Sequence, residues 1–572
     1  MMARYLTKTI DGMSALLRPT FLRPGERYTL SDFRGDAIAG VTIAVIQIPQ
    51  SMALALIAGL PAVYGLYASI PGFIGSVWGS SRYLSTGPVA IVSFLTLTSI
   101  VPYADPGTPD FIRLAAAMAL LVGIIYFLIG IFRFGFIIQL VPHSVIVGFS
   151  AAAALVILVS QIPTFLGITV PQHDILLQNV SEILRSAGSL SNIAFVVGAL
   201  SLATLVALRK LPKTFPTALI VLTIGVAAAY FLHLGDHGLP LVGEVPRSLP
   251  IFTWPWIAPS ILAGLIPKAA IIALVGYVGA HASAKAAARK TREHLDTNQE
   301  FVGQGLANIA TAFFQGFPLS GSFSRTAMNL ELGSKTAMAS VITSLVTVGS
   351  LLFLAPLFYY MPRAMLSAIV IFAVIPLIDI TRLREMYRVS AMDGFVAALT
   401  FVMVFFLKPD DAIFIGVVTA LMLFVRQTVF GARVIEMGID RELQILRGAL
   451  NEKSVDTFQG ICIARVAMSV YYANAAHIVA GIDEVIAHHV IREQAPLKTL
   501  ILDVSPVNFI DVTGMEVLEE YFESLHERGI KVGMIYLRQS LRDSLERFGN
   551  FPKFSVYRNI GDLRSSMLLA HK

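Results

Sequence analysis

The chain has 572 residues, of which 55% are hydrophobic and only 14% charged, against about 25% charged in an ordinary soluble domain. Mean hydropathy is +0.72, and so large an apolar surplus does not fit one water-soluble core, since such cores stop growing near about 250–300 residues. A soluble enzyme, a disordered chain and a disulfide scaffold are excluded, the last also by the single cysteine, Cys462, and an integral membrane protein is expected.

Charge is unevenly placed. Residues 435–572 hold 18 of the 37 acids and 15 of the 43 bases. The longer first part is apolar with bases in surplus. Two physical regimes predict a transmembrane domain over 36–434 and a cytoplasmic domain over 435–572. A pI of 9.2 raises the question of nucleic acid, but the bases lie between apolar runs, where retention on the cytoplasmic side of a membrane accounts for them better. No nucleic-acid partner is expected.

Residues 1–35 carry Arg4, Lys8, Arg18, Arg23, Arg27 and Arg34 without an apolar run. That pattern predicts a cytoplasmic N-terminal segment rather than a secretory signal. Spans are predicted at about 36–58 and 62–79, then a short third segment from Gly87, then about 112–132, 143–163, 189–209 and 213–232. After a polar, Pro-rich connector (234–256) come about 256–282, 300–318, 323–334, 338–360, 363–379, 391–407 and 411–430. Seven before and seven after the connector is an even total, which puts both termini on the cytoplasmic side.

Two segments are too short to cross. The one from Gly87-Pro88 to Pro102 reaches about 21 Å and the one from Gly321-Ser322 to Gly333 about 15 Å, against about 30 Å of hydrocarbon. Each is the third of its half. Short, Gly/Pro-interrupted helices at matching places point to an inverted-repeat transporter and its binding site; the alternative is two kinked but complete helices.

A helix that starts inside a membrane leaves its first N–H groups unpaired and carries about half a positive charge there. An anion satisfies both demands. Pro88 suits the first helical turn, where its missing N–H is no loss. Ser322 and Ser324 are expected to cap the second start and to donate to a ligand. Arg325, in the first turn, adds a full charge that repels the dipole unless an anion is present. Gln50 follows Pro49 in the first span, where its amide serves either an oxyanion or the backbone that the proline frees.

In the tail, Ile461–Met468, Thr499–Val504 and Ile530–Leu537 read as strands. Val517, Leu518, Tyr521, Phe522 and Leu525 share one helical face, and Ser540–Phe548 reads as a further helix. Strand–helix alternation predicts a compact α/β domain. Asp511 stands where a strand gives way to a helix and suits a cap.

Three stretches resemble the sulfate permease (SulP) family of anion transporters, whose animal members include pendrin and prestin. They are Gly65-Leu66-Tyr67-Ala68-Ser69 with Thr86-Gly87-Pro88-Val89-Ala90, Asp296-Thr297-Asn298-Gln299-Glu300 with Gly305-Leu306-Ala307-Asn308, and Phe317-Pro318-Leu319-Ser320-Gly321-Ser322-Phe323-Ser324-Arg325. The likeness runs from about Asp36 to Ser565. In the tail, Leu502-Asp503-Val504-Ser505 and Val507-Asn508-Phe509-Ile510-Asp511-Val512-Thr513-Gly514 resemble the STAS domain.

The resemblance implies a polytopic α-helical membrane protein of fourteen segments, arranged as seven plus seven inverted repeats with two half-helices, followed by a cytoplasmic α/β STAS domain. It further implies a homodimer in which one domain moves against another in elevator fashion. The substrate is expected at Val89 and Ala90, at Phe323, Ser324 and Arg325, and at Gln50 and Leu54. Many relatives hold an acid where this chain has Gly279, so His281, an imidazole two residues on, becomes the candidate coupling group for an H+ or Na+ co-substrate. Thr513 matches a phosphorylated serine of bacterial signalling relatives, which makes it a candidate regulatory position beside the plain reading of a helix start.

The expected function is secondary active transport of a small anion, sulfate or a similar oxyanion favoured, in the cell inner (plasma) membrane. No enzymatic constellation, cofactor or metal is expected. The alternatives are a carrier of bicarbonate, chloride or dicarboxylate, an uncoupled channel, a nucleobase carrier and a membrane-anchored STAS signalling protein.

Overall fold

The computed structural model describes Leu16, Pro19 and residues 28–140, 142–171, 176–210, 217–256, 258–431, 433–443, 445–449, 455–549 and 554–570. The basic residues Arg4, Lys8, Arg18, Arg23 and Arg27 of the expected N-terminal segment lie outside the described residues. The chain divides into two compact units, Met1–Ala420 and Leu421–Lys572.

Helix α1 (Leu30–Ile57) starts six residues before the expected span, because Thr29 and Asp32 form a reciprocal capping box there. The next expected span is broken into α2 (Val63–Ser69) and α3 (Phe73–Trp78) by a tight turn at Ile70–Gly72, where Pro71 offers no N–H. Strand β1 (Thr86–Gly87) leads into α4 (Ala90–Ile100), followed by α5 (Pro109–Ile131), α6 (His143–Leu166), α7 (Leu176–Arg185), α8 (Asn192–Ala207) and α9 (Thr217–Phe231). The second half begins with α10 (Pro259–Thr291), α11 (Thr297–Phe313), β2 (Ser320–Gly321), α12 (Phe323–Glu331), α13 (Met338–Phe353) and α14 (Ala355–Tyr359). It continues with α15 (Arg363–Val374), α16 (Ile380–Val389), α17 (Ala391–Phe406) and α18 (Pro409–Phe430).

Among the described residues seven helical segments are long and apolar enough to cross a membrane by length and composition, two of them running through more than one helical element (Asn192–Lys210 and Arg363–Val389), and four more helices are apolar but shorter. The protein is a multi-pass membrane protein. Two corrections concern extent. Helix α10 runs on to Thr291, because the Ala-rich stretch after Gly279 keeps helical propensity beyond the apolar window. Helices α7 and α16 were not expected; their polar faces (Gln178, Glu182 and Arg185; Arg384, Glu385 and Arg388) hide them from a search for apolar runs.

Packing sorts the first unit into two groups. In one, α11 lies along α5 and α3, and α13 along α1; in the other, α6, α8, α15 and α17 pack on one another. Missing side chains let backbones meet in the first group. A Cβ on Gly123 would sit 2.7 Å from the Ile309 nitrogen, and one on Gly305 2.7 Å from the Phe127 nitrogen. Asp36, fully buried on α1, ties that helix to the loop after α12. Its carboxylate accepts from the Lys335 and Thr336 N–H groups at 2.6 and 3.0 Å and from the hydroxyls of Thr336, Tyr28 and Ser334.

The second unit holds a sheet in the order β4 (Leu446–Gly448), β3 (Val434–Asp440), β6 (Ile461–Val466), β7 (Thr499–Asp503), β8 (Lys531–Ile535) and β9 (Ser555–Tyr557), with β5 (Val455–Asp456) also on β3. Strands β6 to β9 are parallel and β3 runs against β6. Alternate side chains are buried on opposite faces. Cys462, Ala464, Leu500 and Leu502 join α19 (Ala475–Glu493) and α20 (Val512–Glu527) in one core. Ile463, Ile501 and Ile535 meet Ile560 and Leu563 of α22 (Ile560–Ala570) in the other. The expected helix near 540 is α21 (Gln539–Phe548). Glu436 on β3 accepts from Nη1 and Nη2 of Arg492 and pairs with His489 at 2.7 Å, which fixes α19 to the sheet.

One close approach in the first unit is open to test. A Cβ on Gly65 would lie 1.9 Å from the Ser51 carbonyl oxygen, a backbone atom that cannot step aside. Gly65→Ala should force α2 away from α1 and destabilise the protein by about 1–3 kcal/mol. A thermal melt of the detergent-solubilised protein unchanged from wild type would contradict that packing.

A candidate anion site between two half-helices

Strands β1 and β2 are only two residues long, yet they fix the geometry of the site. Thr86 pairs antiparallel with Gly321 and Gly87 with Ser320, and the Ser322 N–H donates to the Ser85 carbonyl at 2.9 Å. The chain leaves this ladder in opposite directions, so the N-termini of α4 and α12 converge. The helices have 11 and 9 residues, about 16 and 13 Å, which makes each a half-span. Pro88 is not in the first helical turn as expected. Val89, with extended backbone, is the N-cap, and Pro88 lies outside it. The Val89 side chain has no acceptor to offer, so the first N–H groups of α4 gain no side-chain cap. On α12, Ser322 is the N-cap and its hydroxyl accepts from the Arg325 N–H.

Arg325 is 1% exposed. Its Nε donates to the Ser85 hydroxyl at 3.3 Å, Nη1 to the Gln50 Oε1 and the Pro88 carbonyl at 3.2 Å each, and Nη2 to the same carbonyl at 3.1 Å. Every acceptor is neutral. Glu331, on the same helix, is exposed at the far end of α12. A buried cation held only by dipoles lacks a counter-charge. The Gln50 carbonyl oxygen accepts from Arg325, which leaves its NH2 group as the donor end of the amide.

A cavity of about 480 Å³ opens onto these groups. Gln50, Leu54, Val89, Ala90, Phe323, Ser324 and Arg325 all line it, so the residues named from sequence come together. Helix α10 adds Gly279 and Ser283, and α15 adds Ile369 and Val370. The cavity thus lies between the two packing groups. Its walls are mostly aliphatic, which lowers local polarisability and strengthens the field of the guanidinium and the two helix ends. No acid lines it. Gly279 faces it with nothing within 4 Å of where a Cβ would stand. His281 does not line it; its ring stacks on Tyr277 with centroids 5.9 Å apart, and its Nδ1 is buried without a partner among the described residues.

Sequence reasoning missed Ser85, the Pro88 carbonyl and Ser283. Ser283 was within reach, four residues past Gly279 on the same helical face. The other motif residues build the frame. Asn308 accepts from the Leu319 N–H at 2.8 Å and donates to its carbonyl. Ser320 donates to the Gly276 carbonyl at 2.6 Å, and Asn329 to that of Tyr83 at 3.0 Å. In the second unit Asp511 caps α20 through the Gly514 N–H at 2.7 Å and also accepts from the Tyr472 N–H; Thr513 is exposed in the first turn.

Residues 33–400 match the sulfate permease family, and residues 452–563 match the STAS domain. Sulfate transporter 4.1, chloroplastic, of Arabidopsis thaliana is 33% identical over 531 residues, 90% of this chain and 77% of that protein. A probable sulfate transporter of Mycobacterium tuberculosis is 30% identical over 522 residues, 90% of each chain. The overall structure of SLC26A9 superposes with a TM-score of 0.90 at 24% identity, covering 99% of this chain and 95% of that one. These relatives are transporters, not enzymes.

The lining makes a reactivity prediction. The native thiol, Cys462, is buried, and burial and then the nearby Glu436 carboxylate push it up to about 12, so it stays silent toward thiol reagents near neutral pH. Ser324→Cys, facing the cavity, should react with a charged methanethiosulfonate reagent on the order of tenfold or more faster than Thr326→Cys, which is buried behind it. Equal rates would remove Ser324 from the cavity wall.

Proposed function

Because the chain belongs to the sulfate permease family and carries a STAS domain, we propose that it is a secondary active transporter of a small anion, with sulfate or a similar oxyanion as the favoured substrate. The observation that carries this reading is Arg325, a buried cation with only neutral acceptors, at two converging helix starts beside a cavity. An oxyanion in that cavity takes N–H groups from the first turns of α4 and α12 and the Ser324 hydroxyl, with Arg325 behind them as counter-charge. No bond is made or broken. Sulfate is favoured because the plant and mycobacterial relatives bear that name, and because an oxyanion has acceptors enough for two sets of donors. Bicarbonate, chloride and dicarboxylates are the alternative substrates.

Transport then follows from the cavity lying between two packing groups. We assign α1–α5 and α10–α13 to a mobile body that carries the anion past α6, α8, α15 and α17, in elevator fashion and within a homodimer. The assigned domains are 1–35 and 435–572 in the cytoplasm and 36–434 in the inner membrane. The open space at Gly279 leaves the cavity without a carboxylate for coupling, so an H+ or Na+ co-substrate must be bound elsewhere.

The test is labelled-sulfate counterflow in proteoliposomes beside a binding titration. Arg325→Ala should raise Kd about thirtyfold, or about 2 kcal/mol, with the melting temperature nearly kept. Arg325→Lys should recover only part of the affinity, since one ammonium does not replace a fork shared by three acceptors. Wild-type affinity in Arg325→Ala would remove the guanidinium from the site. Loss of anion binding on deleting 440–572 would favour the signalling alternative.

A further inference from the structure

We propose that Glu300, with Gln304, forms a proton-binding site whose occupancy is passed to the anion cavity through Thr86; this rests on the reading of the chain as an anion carrier. Two acids are fully buried among the described residues of the first unit, Asp36 and Glu300. They differ in what surrounds them. Asp36 accepts five hydrogen bonds, from Tyr28, Ser334, Lys335 and twice from Thr336, and is saturated as a carboxylate. Glu300 is not. Its Oε2 accepts from the Ser80 and Ser81 N–H groups at 2.9 Å each, but Oε1 has one long contact, 3.3 Å from the Gln304 Nε2.

Gln304 is also fully buried and is half-satisfied. Its Nε2 is shared between Glu300 and the Thr86 hydroxyl, the latter at 2.8 Å, while its Oε1 has no hydrogen-bond partner among the described residues. A buried amide oxygen without a donor beside a carboxylate oxygen with one poor donor is a pair that lacks a hydrogen. A proton taken from cytoplasmic water by the Glu300 Oε1 supplies it. After a half-turn of the Gln304 amide, Oε1 stands where Nε2 stood, accepts from the carboxyl O–H and accepts from the Thr86 hydroxyl, which changes from acceptor to donor. Hydronium becomes water, carboxylate becomes carboxylic acid, and no other bond changes.

The groups facing Glu300 do not replace that proton. Asp296, the N-cap of α11, is an acid one turn away. From α10 comes Tyr277, whose hydroxyl donates to the Thr297 carbonyl, and from α5 comes Tyr126. In the loop after α3, Arg82 pairs with Glu293 at 3.2 Å. Helix α3 and the turn Ile70–Gly72 contain no ionisable side chain. The route onward is short. Thr86 lies in β1, two residues before Pro88, whose carbonyl holds both Nη atoms of Arg325. The protonation state of Glu300 is therefore read by the strand that positions the guanidinium.

The test uses the full chain in proteoliposomes with membrane potential clamped and labelled sulfate as probe. Counterflow at equal pH reports the carrier alone. An inward pH gradient should raise accumulation about tenfold per pH unit for one coupled proton, and in Glu300→Gln the ratio with and without the gradient should fall to one. Counterflow with no response to the gradient in wild type would overturn the proton site and leave the carrier standing. Absence of counterflow would overturn the carrier reading. An infrared pH titration of the solubilised chain then decides the proton site by itself: a protonated-carboxyl band lost in Glu300→Gln supports it, and identical spectra overturn it. Should Glu300→Gln not fold, Gln304→Met removes the acceptor and should move that band to lower pH; an unmoved band overturns the proposal.

Discussion

The guanidinium of Arg325 sits where a membrane protein can least easily keep a charge, and the rest of the first unit is arranged so that it can. Three neutral oxygens share its hydrogen atoms, two helix starts add to its field, and aliphatic walls keep that field from being screened. None of these removes the positive charge. An electropositive cavity follows from that imbalance.

Holding two helix starts in opposition takes rigid support. The ladder β1–β2 sets their register, Asn308 and Ser320 clamp its second strand, and Gln304 reaches the first. Behind them α5 and α11 meet backbone to backbone through Gly123 and Gly305, the kind of contact that replaces hydrophobic driving force between helices in lipid. The second packing group, by contrast, touches the cavity through aliphatic residues of α15. The polar groups of the lining lie outside that group, which supplies an apolar wall.

Much of this was legible in the sequence, for physical reasons that differ from residue to residue. Spans announce themselves by apolar length. The two half-helices were visible because Gly87-Pro88 and Gly321-Ser322 interrupt apolar runs too short to cross. Arg325 stood out because a charge beside such an interruption is expensive without a purpose. What stayed hidden was contact between distant segments. Nothing in the sequence says that Pro88 would give a carbonyl rather than a helical turn, or that Ser85 would meet a residue 240 positions later. The orphaned oxygen of Gln304 is invisible without coordinates. Helices α7 and α16 escaped because their polar halves dilute the apolar signal, and β3, β4, β5 and β9 because runs of two to seven residues carry little pattern of their own.

The ladder has one more implication, for how the protein is made. Its two strands belong to opposite halves of the chain, and the nitrogens of Arg325 find acceptors 237 to 275 residues upstream. While the ribosome is still producing α5 to α11, the Pro88 carbonyl lacks the Arg325 donors that it has in the folded protein. When Arg325 enters the bilayer, it must find that early segment already in place or remain a lone charge in lipid. Assembly of the pocket is therefore a late, long-range closure: a chain truncated before α12 lacks the guanidinium and the second helix start.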